Sequence, residues 1–175
     1  VCIPVAIAIK LDSPGQVLFV QERVGLKGKP FRLYKFRTMV SNAEQLKRQI
    51  RNEASGPIFK SRRDPRITQL GHFLRKTSLD ELPQFWNVLW GDMSLVGTRP
   101  PTVEEVKHYN DRHWRRLNVK PGLTGEWQVY GRSNVTNFEE VVDLDLRYQS
   151  RWSIRYDLVL ILRTILVMVR GDGAY

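Results

Sequence analysis

The sequence predicts a mixed α/β (α+β) domain, mainly helical, with one short β-hairpin. Three observations predict it. Two runs of strand character, Val17 to Val20 and Phe31 to Phe36, are separated by Gly25 and the turn Lys27-Gly28-Lys29-Pro30. Longer segments carry apolar residues at helical spacing, as in Leu70, Phe73 and Leu74, or Leu82, Phe85, Trp86 and Leu89. Finally, 175 residues with 42% hydrophobic content and five Trp can bury one sizeable core, and the length favours a single domain.

Each element follows in order. Val1 to Ile9 is an apolar run that stops at Lys10, too short to span a bilayer, which takes about 20 residues. It lacks the basic start and cleavage site of a signal peptide. Because the chain opens on Val, we expect a fragment of a longer protein that starts partway through a hydrophobic element. By itself that element reads as a core strand or helix end. After the turn Asp12-Ser13-Pro14-Gly15, the hairpin alternates apolar and basic residues in FRLYKF and so presents a basic face. Ser41 to Glu53 predicts a surface helix capped by Ser41 or Asn42. Val103 to Leu117 predicts one helix, PGLTGEWQVYGRS has too many glycines for a regular element, and Asn137 with Glu140 caps a further helix through VVDLDLRY. Leu158 to Val169 is an apolar helix interrupted by Arg163, suited to a core or to a membrane interface with Arg155 and Arg170 at its flanks; taken alone, core is the expectation.

A formal net charge of +10 predicts a phosphate-rich or anionic partner: nucleic acid, membrane surface or nucleotide-like substrate. The single cysteine, Cys2, excludes an intrachain disulfide framework and a cysteine metal cluster, which fits a reducing compartment.

The densest chemistry lies in TSLDELPQFWNVLWGDMSLVGTRPP, Thr77 to Pro101. Asp80 as N-cap would put Pro83 in the first turn, where its missing N–H costs nothing, and would turn Leu82, Phe85, Trp86 and Leu89 into the core. A helix N-terminus favours an ionised carboxylate and suits phosphate. Ser78-Leu79-Asp80-Glu81 also reads as a capping box with no chemistry attached. The surrounding cations Arg62, Arg63, Arg66, Arg75, Lys76 and Arg99 shift the balance toward phosphate. A carboxylate held there can attack phosphorus or carry a divalent ion, and two adjacent acids can divide those roles.

Three runs, DSPGQVLFVQERVGLKGKPFRLYKFRTM, RDPRITQLGHFLRKTSLDELPQFWNVLWGDMSLVGTRPP and KPGLTGEWQVYGRS, together resemble the bacterial sugar transferase family, the monotopic phosphoglycosyl transferases, over nearly the whole chain. The resemblance implies transfer of a sugar-1-phosphate from a UDP-sugar to undecaprenyl phosphate with release of UMP, initiating surface polysaccharide synthesis. It implies Asp80 as the nucleophile that forms a covalent phosphosugar intermediate, Glu81 as the Mg²⁺ ligand, and Arg75 and Arg99 as phosphate-binding residues. Lys35 and Arg37 of KFRTM, and Gln128 and Arg132 of WQVYGR, are weaker candidates for the same role, each also readable as a hairpin-face or turn residue. His72, His108 and His113 are expected to be structural or surface residues. The resemblance further implies a monotopic domain on the cytoplasmic face of the bacterial inner membrane. Residues 1–9 would be the end of a truncated re-entrant helix set in membrane lipids, with 10–175 the catalytic domain. Thr98, Trp90 and Glu126 depart from the family pattern, standing where a Pro, a basic residue and an apolar residue are usual. The alternatives are a basic nucleic-acid-binding module, whose salt-sensitive binding would survive Asp80→Asn, and an inactive membrane scaffold; no nucleic-acid motif supports the first, and an intact Asp80, Glu81 and Arg99 argue against the second.

Overall fold

The computed structural model describes residues 1–61, 63–131 and 135–170, so Arg62 and Arg132 lie outside the described residues. Helix α1 runs from Cys2 to Asp12 and leads into the hairpin of β1 (Leu18–Val24) and β2 (Pro30–Phe36), antiparallel with Gln21 opposite Leu33. Then follow α2 (Ala43–Leu46), α3 (Gln69–Lys76), α4 (Gln84–Trp90), β3 (Ser94–Val96), α5 (Val103–Val106), α6 (Asp111–Trp114), β4 (Gly122–Thr124), α7 (Phe138–Arg151) and α8 (Ile154–Arg170). Strands β3 and β4 pair in parallel, with Ser94 opposite Gly122. The fold is thus mixed α/β, about half helical with two small sheets, and no described helix is long and apolar enough to cross a membrane.

Three small apolar clusters hold these elements together. Ile9, Phe36 and Leu74 join α1, β2 and α3; Val96, Tyr148 and Leu160 join β3, α7 and α8; Ile58, Val135, Phe138, Val141 and Val142 fix the loop before α3 onto α7.

Several local expectations change. The surface helix predicted over Ser41 to Glu53 shortens to α2 and a 3-10 turn, Lys47–Gln49, since it has no apolar stripe to bury. The single helix predicted over Val103 to Leu117 breaks in two because Asn110 starts α6: its side chain accepts from the His113 N–H while its own N–H donates to His113 Nδ1. The glycine-rich PGLTGEWQVYGRS does contain regular structure, strand β4 and a π-helical turn, Trp127–Gly131.

The largest change concerns α4. Asp80 is not its N-cap; the pair sits in a separate 3-10 turn, Leu79–Glu81, and the Ser78 side chain makes no capping bond, so neither the N-cap nor the capping box forms. The helix also faces the other way. Gln84 and Asn87 are buried, whereas Phe85, Trp86, Leu89 and Trp90 are exposed, Leu89 to 77%. The reason is the open edge of β2. The Asn87 amide accepts from the Tyr34 N–H at 3.2 Å and donates to the Arg32 carbonyl at 2.7 Å, completing the backbone bonds that a third strand would make. Two buried amides therefore outrank four apolar residues in setting this helix's orientation. The C-terminal segment behaves similarly: among the described side chains of α8, Leu160 is buried while Leu158, Leu162, Ile165 and Leu166 are exposed, so the core expectation for this segment taken alone does not hold.

Candidate active site

The carboxylate pair is assembled from β2, α3 and the turn that follows. A Cβ on Gly71 would stand 2.1 Å from the Thr38 carbonyl oxygen, so only glycine lets α3 lie this close to the segment leaving β2. Thr68 starts the helix by accepting from the Gly71 N–H at 2.9 Å. At the other end the close approach lets Arg75 Nε donate to Thr38 Oγ1 at 2.9 Å. The chain then reverses through Ser78, whose φ of 54° is left-handed, a conformation that costs a non-glycine residue about 1 kcal/mol. Such outliers persist where surrounding contacts over-determine them, often beside functional groups. The reversal places Asp80 inward, 7% exposed, and Glu81 at the rim, where Lys35 of β2 donates to its Oε1 at 2.8 Å. Burial pushes the Arg75 guanidinium down from its ordinary pKa, while Asp80 and Asp64 pull it back. Four of the residues predicted from sequence, Lys35, Arg75, Asp80 and Glu81, are therefore neighbours.

Arg99 occupies a second cluster. Strands β3 and β4 approach so closely that a Cβ on Gly122 would lie 2.1 Å from the Gly97 nitrogen. Thr98, fully buried, donates its hydroxyl to the Arg116 carbonyl at 3.2 Å, a bond that proline could not supply. Arg99 then reaches Glu105 in a two-pronged bond, Nη1 to Oε2 at 2.9 Å and Nη2 to Oε1 at 3.1 Å. Glu105 also accepts from the Thr102 N–H and closes the capping box of α5. Although burial would raise it, Arg99 and Arg23 hold the Glu105 carboxyl below the usual carboxylate range. Arg23 of β1 donates to the Pro100 carbonyl at 2.9 Å; burial and the Arg99 charge push its guanidinium down to about 10, against the pull of Glu105 and Glu81. Lys60 donates to the Val135 carbonyl at 2.5 Å and lies 5.3 Å from the centre of the Trp127 ring, with Arg99 at 5.6 Å from the same ring. Gln128, next in the chain, has a buried Oε1 with no hydrogen-bond partner among the described residues.

The other sequence candidates are placed differently. Arg37 binds the carbonyls of Ser13 at 2.7 Å and Pro14 at 2.6 Å, tying the end of α1 to the hairpin. Arg66 donates to Asp64 through Nε and Nη2, the latter at 2.6 Å. The histidines are structural or exposed as expected: His113 is buried against Glu139, and His72 and His108 lie at the surface. Glu126, fully buried, is accommodated by Tyr156, whose hydroxyl donates at 2.5 Å, and by Arg147. Trp90 stacks on Trp86 with ring centres 5.0 Å apart. Sequence reasoning missed Glu105, Arg23 and Lys60. Only Glu105 had a signal, the Thr-x-x-Glu capping pattern of TVEE; nothing local marks a strand arginine or a loop lysine as converging on a distant turn.

Chemically, the first cluster offers a buried carboxylate beside a second one and two cations. Among the described residues no three His, Cys, Asp or Glu side chains stand together as a metal cage. Two adjacent carboxylates are nonetheless the donor type that Mg²⁺ takes, since that ion binds through one or two carboxylates and completes its shell with water and substrate phosphate.

Comparison with known proteins bears on this arrangement. Residues 1–171 match the profile described as bacterial sugar transferase. A galactosyl transferase, CpsE, of Streptococcus agalactiae is 55% identical over 162 residues, covering 91% of this chain and 36% of that protein. An undecaprenyl-phosphate galactose phosphotransferase of Salmonella typhimurium is 44% identical over 169 residues, 92% of this chain and 35% of that protein. A UDP-glucose:undecaprenyl-phosphate glucose-1-phosphate transferase of Escherichia coli is 39% identical over 180 residues, 98% of this chain and 36% of that protein. The chain thus spans about a third of the length of these relatives.

Proposed function

Because the chain belongs to the bacterial sugar transferase family, we propose that it transfers a sugar-1-phosphate from a UDP-sugar to undecaprenyl phosphate, releasing UMP and initiating a surface polysaccharide. The observation that carries this reading is the Asp80-Glu81 pair standing between Lys35 and Arg75. Relatives named for undecaprenyl-phosphate galactose and glucose-1-phosphate transfer support the substrate classes.

In the proposed reaction an Asp80 carboxylate oxygen attacks the β-phosphorus of the donor. A phosphorus–oxygen bond forms at Asp80 as the bond to UMP breaks, and UMP leaves with the electron pair. An oxygen of undecaprenyl phosphate then attacks the same phosphorus and restores the carboxylate. Arg75, tethered by Thr38, orients phosphate beside Asp80; Lys35 holds Glu81 in place and adds positive charge; Arg99 binds phosphate from the second cluster. Glu81, with Asp80, would hold Mg²⁺, which when bound lowers the repulsion between a carboxylate and a diphosphate.

The apolar side chains that the fold leaves outside support a membrane setting. Val1 before α1, Ile3, Ile7 and Leu11 of α1, Phe85, Trp86, Leu89 and Trp90 of α4, and Leu158, Leu162, Ile165 and Leu166 of α8 are all exposed. Trp and Leu presented this way suit the lipid interface, and a cationic domain suits an anionic cytoplasmic leaflet, where a lipid-borne phosphate acceptor would meet the site. We therefore place the domain monotopically at the cytoplasmic face of the inner membrane.

The test is UMP release by membrane-reconstituted full-length protein with undecaprenyl phosphate, Mg²⁺ and UDP-galactose or UDP-glucose. Release with a donor, lost in Asp80→Asn, is the expected outcome. Undiminished release from Asp80→Asn would remove Asp80 from the chemistry, and no release with any UDP-sugar would overturn the reading.

A further inference from the structure

Resting on the transferase reading, we propose that Glu105 is a positioning residue for Arg99: it fixes the plane of the Arg99 guanidinium and so sets how tightly the site holds a substrate phosphate, without touching substrate itself.

The chain that joins the two residues is stiff. Pro100 and Pro101 follow Arg99, each with a fixed φ and no N–H to give, and Thr102 then starts α5 with its capping box. The same span is fastened to the hairpin. The Pro101 carbonyl accepts from the Val24 N–H at 3.0 Å, the Pro100 carbonyl accepts from Arg23 Nη1 at 2.9 Å, and Thr102 bridges to Arg23. The other hairpin strand carries Lys35, which binds Glu81, so Glu105 is registered against the frame that holds the carboxylate pair.

The carboxylate itself is held on several sides. Glu105 is 6% exposed; its Oε2 accepts from Arg99 Nη1 at 2.9 Å and from the Thr102 N–H at 3.0 Å, and its Oε1 accepts from Arg99 Nη2 at 3.1 Å. The bond from Thr102 keeps the carboxylate from turning. Two parallel bonds to a planar guanidinium then fix its orientation as well as its place, which a single charge contact would not do. Glu105 is unsuited to acid catalysis: although burial would raise it, Arg99 and Arg23 hold it below the usual carboxylate range, so at neutral pH it has no proton to give. Burial would lower Arg99 in turn, yet Glu105 raises it, so both partners stay charged. A guanidinium has five N–H groups, so Arg99 can keep both bonds to Glu105 while others meet phosphate oxygens.

Removing Glu105 has two effects of opposite sign. An incoming phosphate is repelled less, and Arg99 loses its orientation. Arg23 also draws on the Glu105 charge, which weakens the repulsion, whereas the two-pronged bond to Arg99 is shared with no other residue among those described. Loss of orientation should therefore prevail.

The test uses full-length protein in lipid nanodiscs. UMP release gives the KM for UDP-galactose or UDP-glucose and, separately, for undecaprenyl phosphate, and calorimetry gives UDP binding without turnover. Glu105→Gln should raise one of the two KM values about tenfold or more, the loss expected for charge-assisted bonds, with kcat changed less. The KM that rises identifies the substrate whose phosphate Arg99 meets. Glu105→Asp keeps the charge but draws the oxygens back by one methylene, and it should lose most of the same factor. In an Arg99→Lys background there is no planar fork to orient, so Glu105→Gln should change that KM less than about twofold. Equal losses in both backgrounds, as from a residue that only supports the fold, would overturn the proposal. So would unchanged KM values, a KM that falls in Glu105→Gln, or full activity in Glu105→Asp. If Glu105→Gln does not fold, Glu105→Asp carries the same comparison. A protein that transfers no sugar, yet loses UDP binding about tenfold in Glu105→Gln only while Arg99 is present, keeps the positioning role and loses the reaction. One that transfers sugar with equal losses in both backgrounds does the reverse, and one that transfers no sugar and binds UDP equally well, or not at all, in native and variant loses both.

Discussion

Asp145→Asn tests how the turn presenting Arg99 is supported. Arg116 and Asp145 form an ion pair sealed from solvent, with side-chain exposures of 0% and 1% and Nη2 to Oδ2 at 2.6 Å. Arg116 also donates to the Arg99 carbonyl at 3.4 Å and accepts the Thr98 hydroxyl on its own carbonyl, so the pair is the floor beneath residues 98 and 99. Exchanging the carboxylate for an amide of the same shape leaves a guanidinium buried without its counter-charge, which costs about 3–5 kcal/mol. Against a total stability of about 5–15 kcal/mol for a typical domain, that is a large share. At about 1.36 kcal/mol per factor of ten, a loss of 4 kcal/mol lowers the folded-to-unfolded ratio about a thousandfold. Replacing both partners with apolar residues, Arg116→Met with Asp145→Leu, removes the stranded charge. The double variant should return to within about 2 kcal/mol of the native protein or exceed it. Its activity should nonetheless stay low, because the bond to the Arg99 carbonyl is gone. Urea denaturation of the reconstituted protein, followed by tryptophan fluorescence, gives the stabilities. An Asp145→Asn loss below about 1 kcal/mol, or a double variant no better than the single one, would refute the reasoning, since either means that these charges are not desolvated.

Four further outcomes are expected. Glu81→Gln should raise the Mg²⁺ concentration needed for half-maximal UMP release, read from a metal titration; an unchanged titration would exclude Glu81 as a ligand. Asn87→Ala should cost about 2–4 kcal/mol in denaturation, from the two strand-edge groups it leaves unpaired and the void at a fully buried site. The triple variant Trp86→Ser, Leu89→Ser and Trp90→Ser should leave the denaturation midpoint nearly unchanged while weakening sedimentation with anionic vesicles several-fold; the reverse pattern would mean that these side chains pack within the protein. Burial pushes the phenols of Tyr109 and Tyr156 up to about 12, and Tyr148 moves the same way. Groups that hold their proton more tightly when folded lend stability that is whole below their unfolded pKa of about 10 and is lost as the pH rises through about 12. Denaturation midpoints should therefore fall steeply over that interval.

The hairpin and the closeness of Arg75 to the Asp80-Glu81 pair were legible because their signals are local. A glycine-bearing turn between two β-rich runs predicts β1 and β2, and a carboxylate pair among basic residues predicts a phosphate site wherever the helix around it starts. What was not legible depended on distant partners. The stripe of Leu82, Phe85, Trp86 and Leu89 has the period of a core-facing helix, but period cannot say whether the face turns inward or outward, and the bonds from Asn87 to Arg32 and Tyr34 decide it. Asp80 looked like an N-cap because Asp-x-x-Pro fits one; the left-handed Ser78 closes a separate turn first. The break in the Val103 to Leu117 helix was written in Asn110, which ranks among the best capping residues, yet a cap inside a helical run is hard to tell from an exposed helical position.

The amide that docks α4 onto β2 also determines which properties of this helix are free to vary. Packed side chains are constrained in volume, since a lost methylene leaves a void and an added one forces strain. The outward residues of α4 are largely exposed, and Trp86 and Trp90 stack on each other. Their sizes and shapes can therefore change without disturbing the fold, provided that their summed preference for an apolar medium is kept. Position 87 is the converse case: a leucine there would satisfy every rule of helix amphipathicity and yet detach the helix from the sheet.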